Sequence, residues 1–333
     1  MTLSDLAASY LPALEDEMRR AVGDGAAHLS EYYAMLRYHL GWTDGSGGGK
    51  RIRPLLALLT CTAAGGAWQS ALPLAAALEL LHNFSLIHDD IEDNSPTRHG
   101  RPTVWARWGR AQGINAGDAM FTLARRAPQR LAECGHPAAL TLAVLAELDQ
   151  TCLALTQGQY LDIAFEQRPR VTVAEYLTMI EGKTGALIAS SAGLGAMLGG
   201  AEGERLAHFR SYGRGLGLAF QFQDDWLGIW GDEAVTGKSV ASDLETRKKT
   251  LPVVYGLERS EAFARAYAVP HQPGEPLAEL AAALEQLGAK DYVERQAHDM
   301  TQTALRHLAE ALPAEPAAGA LRELTDQLLR RDK

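Results

Sequence analysis

The chain has 333 residues, of which 47% are hydrophobic and 22% are charged. These proportions are typical of a globular protein and exclude an intrinsically disordered chain. The 41 acidic residues outnumber the 32 basic ones and give a formal net charge of -9. A general nucleic-acid binder is therefore excluded, because phosphate binding needs a surplus of cations.

Helical periodicity of the apolar residues dominates the chain and predicts an all-α protein. An amphipathic helix is expected over residues 3–22. Residues 41–49 are too rich in glycine to be helical, and this predicted turn leads to a helix that starts near Arg53 and Pro54. The remaining helices are expected over residues 71–93, 112–127, 137–166, 173–199, 204–230, 251–258, 276–312 with a break near Gly288, and 317–331. Because no fixed repeat, low-complexity linker or clear boundary is present, we expect one large helical domain over residues 1–333.

The cysteines and the N-terminus indicate the compartment. Cys61, Cys134 and Cys152 are odd in number, lie far apart and lack zinc-type spacing, which is typical of buried thiols in a reducing compartment. The N-terminus has no basic region followed by an apolar one, and we find no stretch of about 18 uncharged apolar residues. We expect a soluble, cytoplasmic protein without a membrane span.

The most informative segment contains Asp89, Asp90 and Asp93, in a D-D-x-x-D pattern. Residues 89 and 93 lie one helical turn apart on the same face, where like charges repel. Mg²⁺ compensates such a pair, since it prefers carboxylate oxygens and bridges them to phosphates. The alternative interpretation is a solvated acidic end of a helix.

A second acidic pair, Asp224 and Asp225, lies among aromatic and apolar residues, where charge needs compensation. Basic residues accompany both acidic clusters: Lys50, Arg53, Arg98 and Arg101 near the first, and Lys183, Lys238, Arg247, Lys248 and Lys249 near the second. Carboxylates, metal ions and cations together describe a pyrophosphate site. The motifs of P-loop proteins, dinucleotide-binding folds, zinc proteases and serine hydrolases are absent from the sequence.

In this order and spacing, the motifs between Gly49 and Pro252 resemble those of the trans-isoprenyl diphosphate synthases, the head-to-tail prenyltransferases. They comprise residues 49–54, 82–103, Gly117-Asp118, Gly158-Gln159-x-x-Asp162, Lys183-Thr184, residues 221–225, Gly237-Lys238, Asp243 and residues 248–252. The resemblance implies a single all-α helical bundle around a deep central cavity, normally a homodimer. It also implies a reaction between isopentenyl diphosphate and an allylic diphosphate, with three Mg²⁺ ions in each active site.

The resemblance assigns roles by position. It implies that the metal-facing carboxylates, which are also catalytic, are Asp89, Asp90, Asp93, Asp224 and Asp225. The residues implied to hold the allylic diphosphate are Arg98, Lys183, Thr184, Gln221, Lys238 and Lys248, and among them Lys183 and Lys238 stabilise the charge of the departing pyrophosphate. The residues implied to hold isopentenyl diphosphate are Lys50, Arg53 and His82, with His99 at the position of an arginine usual in the family.

The chain departs from the family pattern at two positions. His99 replaces the second arginine of Arg-Arg-Gly, and a histidine is only partly charged near neutral pH. Gly228 replaces the last aspartate of the second D-D-x-x-D motif, and Asp232 is a candidate to restore part of its charge.

The product length is predicted from Phe84 and Ser85, which lie about 6 to 7.5 Å before Asp89 along a helix. One aromatic residue at the deeper position resembles the archaeal-type C20 pattern, so we expect geranylgeranyl diphosphate, with farnesyl diphosphate or a longer polyprenyl diphosphate as alternatives. A class I terpene cyclase and a non-catalytic helical subunit are the other hypotheses. The retained Lys50, Arg53 and His82 argue against the cyclase, and the intact Asp89, Asp90, Asp93 and Lys248 argue against the subunit.

Overall fold

The computed structural model describes residues 1–43, 49–231, 242–269 and 277–329, and these ranges are almost entirely helical. The helices are α1 Leu3–Val22, α2 Ser30–His39, α3 Ile52–Ala64, α4 Leu72–Glu92, α5 Val104–Trp108, α6 Arg110–Arg126, α7 Ala138–Glu166, α8 Val173–Ile180, α9 Ala186–Leu198, α10 Gly203–Trp230, α11 Ser242–Glu245, α12 Leu251–Arg259, α13 Glu261–Tyr267, α14 Ala278–Gln286, α15 Ala289–Glu310 and α16 Ala317–Leu329. A π-helical turn, Glu181–Gly185, joins α8 to α9, and two short strands, β1 Thr97–Arg98 and β2 Arg101–Pro102, form a hairpin. The predicted all-α class is confirmed.

The helix boundaries follow from local chemistry. Thr2 and Asp5 form a capping box at the start of α1, so that both side chains bond exposed backbone N–H groups. Gly288 adopts a left-handed conformation with φ of 79° and separates α14 from α15, as the predicted break requires. Four of these helices, α2, α5, α11 and α13, were not predicted. In α2 aromatic, apolar and charged residues are mixed without a clear apolar stripe, and the other three have only four to seven residues, too few to show a helical period.

The chain divides into two compact units. Unit 1 comprises Met1–Gln150, Ser190–Ala207 and Leu312–Leu321, and unit 2 comprises Thr151–Ala189, His208–Ala311 and Arg322–Lys333. The single domain over residues 1–333 stays a prediction.

Helix α4 lies at the centre of unit 1 and packs against α1, α3 and α6. Most of its residues from Pro73 to Leu81 are fully buried, including Leu74, Leu78 and Leu80. Burying each such side chain contributes about 1.5–3 kcal/mol relative to exposure. The core therefore fixes the helix whose last turn carries the first acidic cluster.

In unit 2 the core forms where α8, α10, α12 and α15 pack together. Its buried side chains include Phe165, Tyr176, Phe222, Val254 and Val293. The aromatic residues contribute large buried areas, and they hold α10 in place beside the start of α12. This arrangement positions the second acidic pair.

Within the described ranges, two helical stretches are long and apolar enough to cross a membrane, judged by length and composition alone. One is Trp68–Glu92, whose most apolar window is 67% buried, and the other is Ala138–Glu166, whose window is 33% buried. A buried core helix passes the same test, so length and composition do not establish a membrane span. The expected absence of an uncharged apolar stretch of about 18 residues is not contradicted, because every window of that length includes Glu79 in the first helix and Asp149 in the second.

Candidate active site

The first acidic cluster lies at the C-terminal end of α4. Asp89 is partly buried and Asp93, which caps the helix, is exposed, so these two carboxylates are accessible one turn apart. Asp90 is different, because it is only 2% exposed. The structure thus separates three residues that the sequence pattern treats alike.

Asp90 binds Arg98 of β1. Nε and Nη2 of Arg98 both donate to Oδ1 of Asp90, at 2.9 and 2.8 Å. Burial raises the pKa of Asp90, and the hydrogen bonds from Arg98 oppose that rise. Asp90 was expected to face a metal ion. That metal contact stays a prediction, and in the structure the buried carboxylate positions Arg98.

The hairpin of β1 and β2 presents the neighbouring basic side chains. Its two-residue loop, His99 and Gly100, has positive φ angles of 50° and 74°, the conformation of a tight I′ turn. Arg98 and Arg101 are cross-strand partners, so both project from the same short ribbon. His99 is exposed at the tip, where its predicted contact with isopentenyl diphosphate stays a prediction.

Four arginines of unit 1 converge on two histidines. Burial lowers the pKa of His82 well below its ordinary value, and the positive charges of Arg53 and Arg98 lower it further. Burial, Arg98 and Arg101 lower the pKa of His39 to about 3. Both imidazoles are therefore neutral inside a cationic pocket. The predicted ligands Arg53, His82 and Arg98 are brought together, whereas Lys50 is exposed at the edge of the described chain.

Arg51 belongs to the same basic segment but has a structural role. Its buried guanidinium bonds Oε1 of Glu79 at 2.7 Å and Oε1 of Glu15 at 2.8 Å. Because the charge is paired and hydrogen-bonded, its burial is tolerated. These bonds tie the loop before α3 to α1 and α4, and so fix where Arg53 begins its helix.

In unit 2 the π-helical turn carries Lys183 and Thr184. Gly158 lies directly against the backbone of Lys183, where a Cβ atom would overlap the main chain. Such π turns often mark functional positions. Lys183 Nζ donates to Oδ2 of Asp162, an ion pair that sets the position of the predicted diphosphate ligand. The spacing Gly158-x-x-x-Asp162 is thereby explained, since one residue admits the turn and the other holds its lysine.

Thr184, Gln221 and Asp225 form one hydrogen-bonded chain. The Thr184 hydroxyl donates to Oε1 of Gln221 at 2.7 Å, and Nε2 of Gln221 donates to Oδ1 of Asp225 at 2.8 Å. Oδ2 of Asp225 accepts from the Tyr176 hydroxyl and, at 2.7 Å, from the backbone N–H of Leu251. The carboxylate therefore caps the N-terminus of α12.

Asp225 is 3% exposed, whereas Asp224 is partly exposed. Burial raises the pKa of Asp225 to about 7, against the lowering effect of its hydrogen bonds from Leu251, Tyr176 and Gln221. The expectation that Asp225 faces a metal ion likewise stays a prediction. In each acidic pair, the first residue is accessible and the second organises the protein around it.

Gly228, the position of the missing fifth carboxylate, faces Asp243 of α11. A Cβ atom at residue 228 would overlap the Asp243 carboxylate. Asp243 also raises the pKa of Asp225 through its charge. The acid absent from the motif is thus present beside it. Asp232, the candidate for restoring this charge, and Lys238, a predicted diphosphate ligand, lie outside the described residues.

Lys248 follows α11 and is partly buried. Its backbone N–H donates to the carbonyl of Asp243 at 3.1 Å, and its own carbonyl accepts from the Tyr267 hydroxyl at 2.7 Å. The backbone of this predicted diphosphate ligand is therefore anchored on both sides.

The predicted chain-length residues lie on α4 within unit 1. The Phe84 ring packs against Phe121 of α6 at 5.3 Å and against His88 at 5.1 Å, while the Ser85 hydroxyl bonds the His82 carbonyl. The two helices pack closely because Gly117 has no Cβ atom, and a Cβ atom at this position would overlap His88. Sequence analysis did not identify Phe121, Tyr176 or Glu79, whose roles depend on contacts distant in sequence.

The comparisons with known proteins agree with this geometry. A family model described as polyprenyl synthetase matches residues 32–287. The (2E,6E)-farnesyl diphosphate synthase of Mycobacterium tuberculosis is 48% identical over 227 residues, which cover 66% of this chain and 62% of that protein. The chain thus matches less than two thirds of that relative's length. The geranylgeranyl diphosphate synthase of the same organism is 41% identical over 290 residues, 84% of this chain and 81% of the relative.

Among solved structures, the fold is similar to a geranylgeranyl pyrophosphate synthase from Corynebacterium glutamicum, which was solved with isoprenyl diphosphate and magnesium. The TM-score is 0.85 at 28% identity, with 99% of this chain and 100% of that chain covered. The family model covers more than half of the sequence, and its range includes the acidic clusters, the hairpin and the π-helical turn. The chain belongs to the polyprenyl synthetase family.

Proposed function

We propose that this protein is a Mg²⁺-dependent prenyltransferase that condenses isopentenyl diphosphate head to tail with an allylic diphosphate. The observation that carries the proposal is the convergence of Arg53 and Arg98 on His82, along the helix that ends in Asp89 and Asp93. A terpene cyclase acts on one diphosphate and needs no second pocket. A cationic pocket beside an accessible acidic helix end therefore favours the synthase over the cyclase.

The residues support this chemistry without an enzyme nucleophile. Lys183, Lys248 and the hydrogen-bonded Thr184–Gln221 pair hold the allylic diphosphate, and the lysines stabilise the charge that develops as the carbon–oxygen bond breaks. Arg98 also holds the allylic diphosphate, whereas Arg53 and His82 orient the diphosphate of the acceptor, whose double bond attacks the allylic carbon. The new carbon–carbon bond forms, and the released pyrophosphate accepts the proton that the acceptor loses. The apolar surroundings keep water away from the cationic carbon.

The donor set fits Mg²⁺. Asp89 and Asp93 offer accessible carboxylate oxygens on one helical face, and Asp224 offers another in unit 2. When bound, Mg²⁺ neutralises diphosphate charge. We propose three ions in each active site, with Asp90 and Asp225 as positioning residues. The intact accessible carboxylates also argue against a non-catalytic subunit.

We propose geranylgeranyl diphosphate as the main product. Phe84 places one aromatic ring before the acidic cluster and Ser85 leaves the adjacent position small, while Phe121 contributes a second ring from α6. Farnesyl diphosphate is the second candidate, because the relative that is 48% identical is named a farnesyl diphosphate synthase and the second ring narrows the path of the growing chain.

We also propose a homodimer that pairs through α7. Leu142, Leu153 and Tyr160 are 66%, 51% and 70% exposed, and their spacings of 11 and 7 residues place them on one face of the helix. Large apolar side chains that are exposed on one face of a helix favour an interface there. Light scattering of the wild type and of a Tyr160→Glu variant tests this proposal: the wild type should have the mass of a dimer and the variant that of a monomer, and a monomeric wild type would contradict it.

Cytoplasmic location is likewise a proposal, supported by the three cysteines, none of which forms a disulfide in the structure. Fractionation of cells that produce the protein should recover it apart from membranes, and recovery with the membrane fraction would point to α4 or α7 instead.

Calorimetric titration with isopentenyl diphosphate tests the proposed function directly. The wild type should bind it, and Arg53→Ala or Lys50→Ala should weaken binding at least tenfold, because each removes a charge-assisted contact. The matched control is Arg126→Ala, an exposed arginine at the end of α6, which should bind as the wild type does. Equal affinity in all four proteins would contradict the assignment of the acceptor pocket.

A further inference from the structure

Unit 2 contains a cluster of three side chains that the proposed reaction does not use. His208 lies on the first third of α10, and His307 and Glu310 lie three residues apart on the last turn of α15. We call these three residues the His–Glu cluster. His208 precedes Asp224 by 16 residues (224 minus 208) on the same helix, about 24 Å at 1.5 Å per residue, so the cluster is remote from the accessible carboxylate of this unit.

The three donor atoms form a nearly equilateral triangle. Nδ1 of His208 lies 3.1 Å from Nδ1 of His307, and Oε2 of Glu310 lies 3.2 Å from the first and 3.3 Å from the second. A tetrahedral zinc ion with ligand bonds of about 2.0 Å has ligand–ligand edges of about 3.3 Å. The triangle therefore has the dimensions of one face of a zinc coordination tetrahedron.

Hydrogen bonds alone do not satisfy this arrangement. A carboxylate is an acceptor only, and each neutral imidazole has either a proton or a lone pair at Nδ1. If both Nδ1 atoms are protonated, both N–H groups face the same carboxylate oxygen and repel each other across 3.1 Å. If one is protonated, the lone pair of the other faces the carboxylate. A cation that accepts all three lone pairs removes both conflicts.

The backbone holds the donors in place. Helices α10 and α15 cross closely at Gly215 and Ala304, where a Cβ atom on the glycine would lie 3.0 Å from that of the alanine. Gly215 is two turns from His208, and Ala304 is one turn from His307. This close crossing sets the separation of the two imidazoles, so little reorganisation is needed to bind an ion.

The site is open to solvent. The side chains of His208 and His307 are about one third exposed and that of Glu310 is half exposed, so an ion can enter and water can complete its coordination. Two imidazoles and one carboxylate favour zinc over magnesium, which prefers oxygen ligands alone. We propose that His208, His307 and Glu310 bind a zinc ion, or another divalent transition metal of that class, which links α10 to α15.

Equilibrium dialysis of the full chain against Zn²⁺ tests this proposal, with excess Mg²⁺ present to occupy the carboxylate sites. The wild type should bind one more Zn²⁺ per chain than the variants His208→Gln and His307→Gln. The matched control is His298→Gln, which removes an exposed histidine from the same helix α15 and should retain the wild-type stoichiometry. Equal Zn²⁺ stoichiometry in the wild type and both cluster variants would overturn the proposal.

A second measurement, the Tm with and without Zn²⁺, does not depend on whether the histidine variants fold. Zn²⁺ should raise the Tm of the wild type and of His298→Gln, because a ligand that binds only the folded state stabilises it. Glu310→Gln changes a half-exposed side chain and leaves both imidazoles in place, so the variant should fold. It should weaken Zn²⁺ binding at least tenfold. A Tm that does not respond to Zn²⁺ in the wild type, or an unchanged affinity in Glu310→Gln, would also overturn the proposal.

Discussion

The carboxylate of Asp243 occupies the space that a side chain at Gly228 would need. The second acidic motif lacks its last aspartate at this glycine, and Asp243, 15 residues further along the chain (243 minus 228), supplies an acid at the same place. Restoring the family's aspartate is therefore not neutral, because two carboxylates would compete for one space.

Gly228→Asp should reduce turnover at least tenfold and lower the free energy of unfolding by about 1–3 kcal/mol, since it introduces both overlap and like charge. Steady-state kinetics and urea unfolding measure the two effects. The double variant Gly228→Asp/Asp243→Gly moves the carboxylate from one chain position to the other and should recover most of the loss. A single variant that behaves as the wild type would show that Asp243 does not fill this space.

Asp93 and Asp90 should fail in different ways. Asp93→Ala should keep its Tm and lose at least about 10²-fold in kcat, because an accessible carboxylate is lost where charge develops. Asp90→Asn should instead raise the KM for diphosphate substrates and lower the Tm, since Arg98 loses its charged partner. Glu92→Ala, on the exposed neighbouring position, is the control. The same kinetic defect in Asp90→Asn and Asp93→Ala would contradict the separate roles.

The two rings Phe84 and Phe121 should together limit product length. Phe84→Ala and Phe121→Ala should each shift the product beyond C20, because each removes a ring from the packed pair. Ser85→Phe should shorten the product towards C15. Chain lengths are read by chromatography of the dephosphorylated products. If all three variants make the wild-type product, the floor of the cavity is built elsewhere.

His39 should make the protein sensitive to acid. Its pKa of about 3 in the folded state is below the ordinary value of 6.5, so the unfolded chain binds more protons between these pH values, and stability falls as the pH drops through this range. One such histidine contributes at most about 1.4 kcal/mol per pH unit. Urea unfolding between pH 7 and pH 5 should therefore show a smaller acid-induced loss for His39→Phe than for the wild type. Parallel pH profiles would mean that His39 is protonated in the folded protein.

Much of the fold could be predicted from sequence, because long helices reveal themselves through periodicity and end signals. Helix α1 matches its predicted bounds, and the break at Gly288 follows from its left-handed backbone. The acidic clusters were equally visible, since charge among apolar residues is unusual. Short elements such as α2 and the β1–β2 hairpin were not, because their patterns are too brief to show a period.

The separate roles of the site residues could not be predicted, because each role depends on burial and on partners that are distant in sequence. Adjacent aspartates look identical in sequence, yet Asp90 is buried against Arg98 and Asp225 caps α12. Arg51 lies in the same basic segment as Lys50 and Arg53, and only the structure shows that Glu15 and Glu79 pair with it. Such roles become visible only when the helices are packed.

The most direct test of the account is a turnover assay with labelled isopentenyl diphosphate and each allylic diphosphate in turn, with Mg²⁺, in which the product chain length is resolved. We expect labelled products that depend on both substrates and on Mg²⁺, with C20 the main product. A protein that releases pyrophosphate from the allylic diphosphate alone, without incorporating the label, would contradict it.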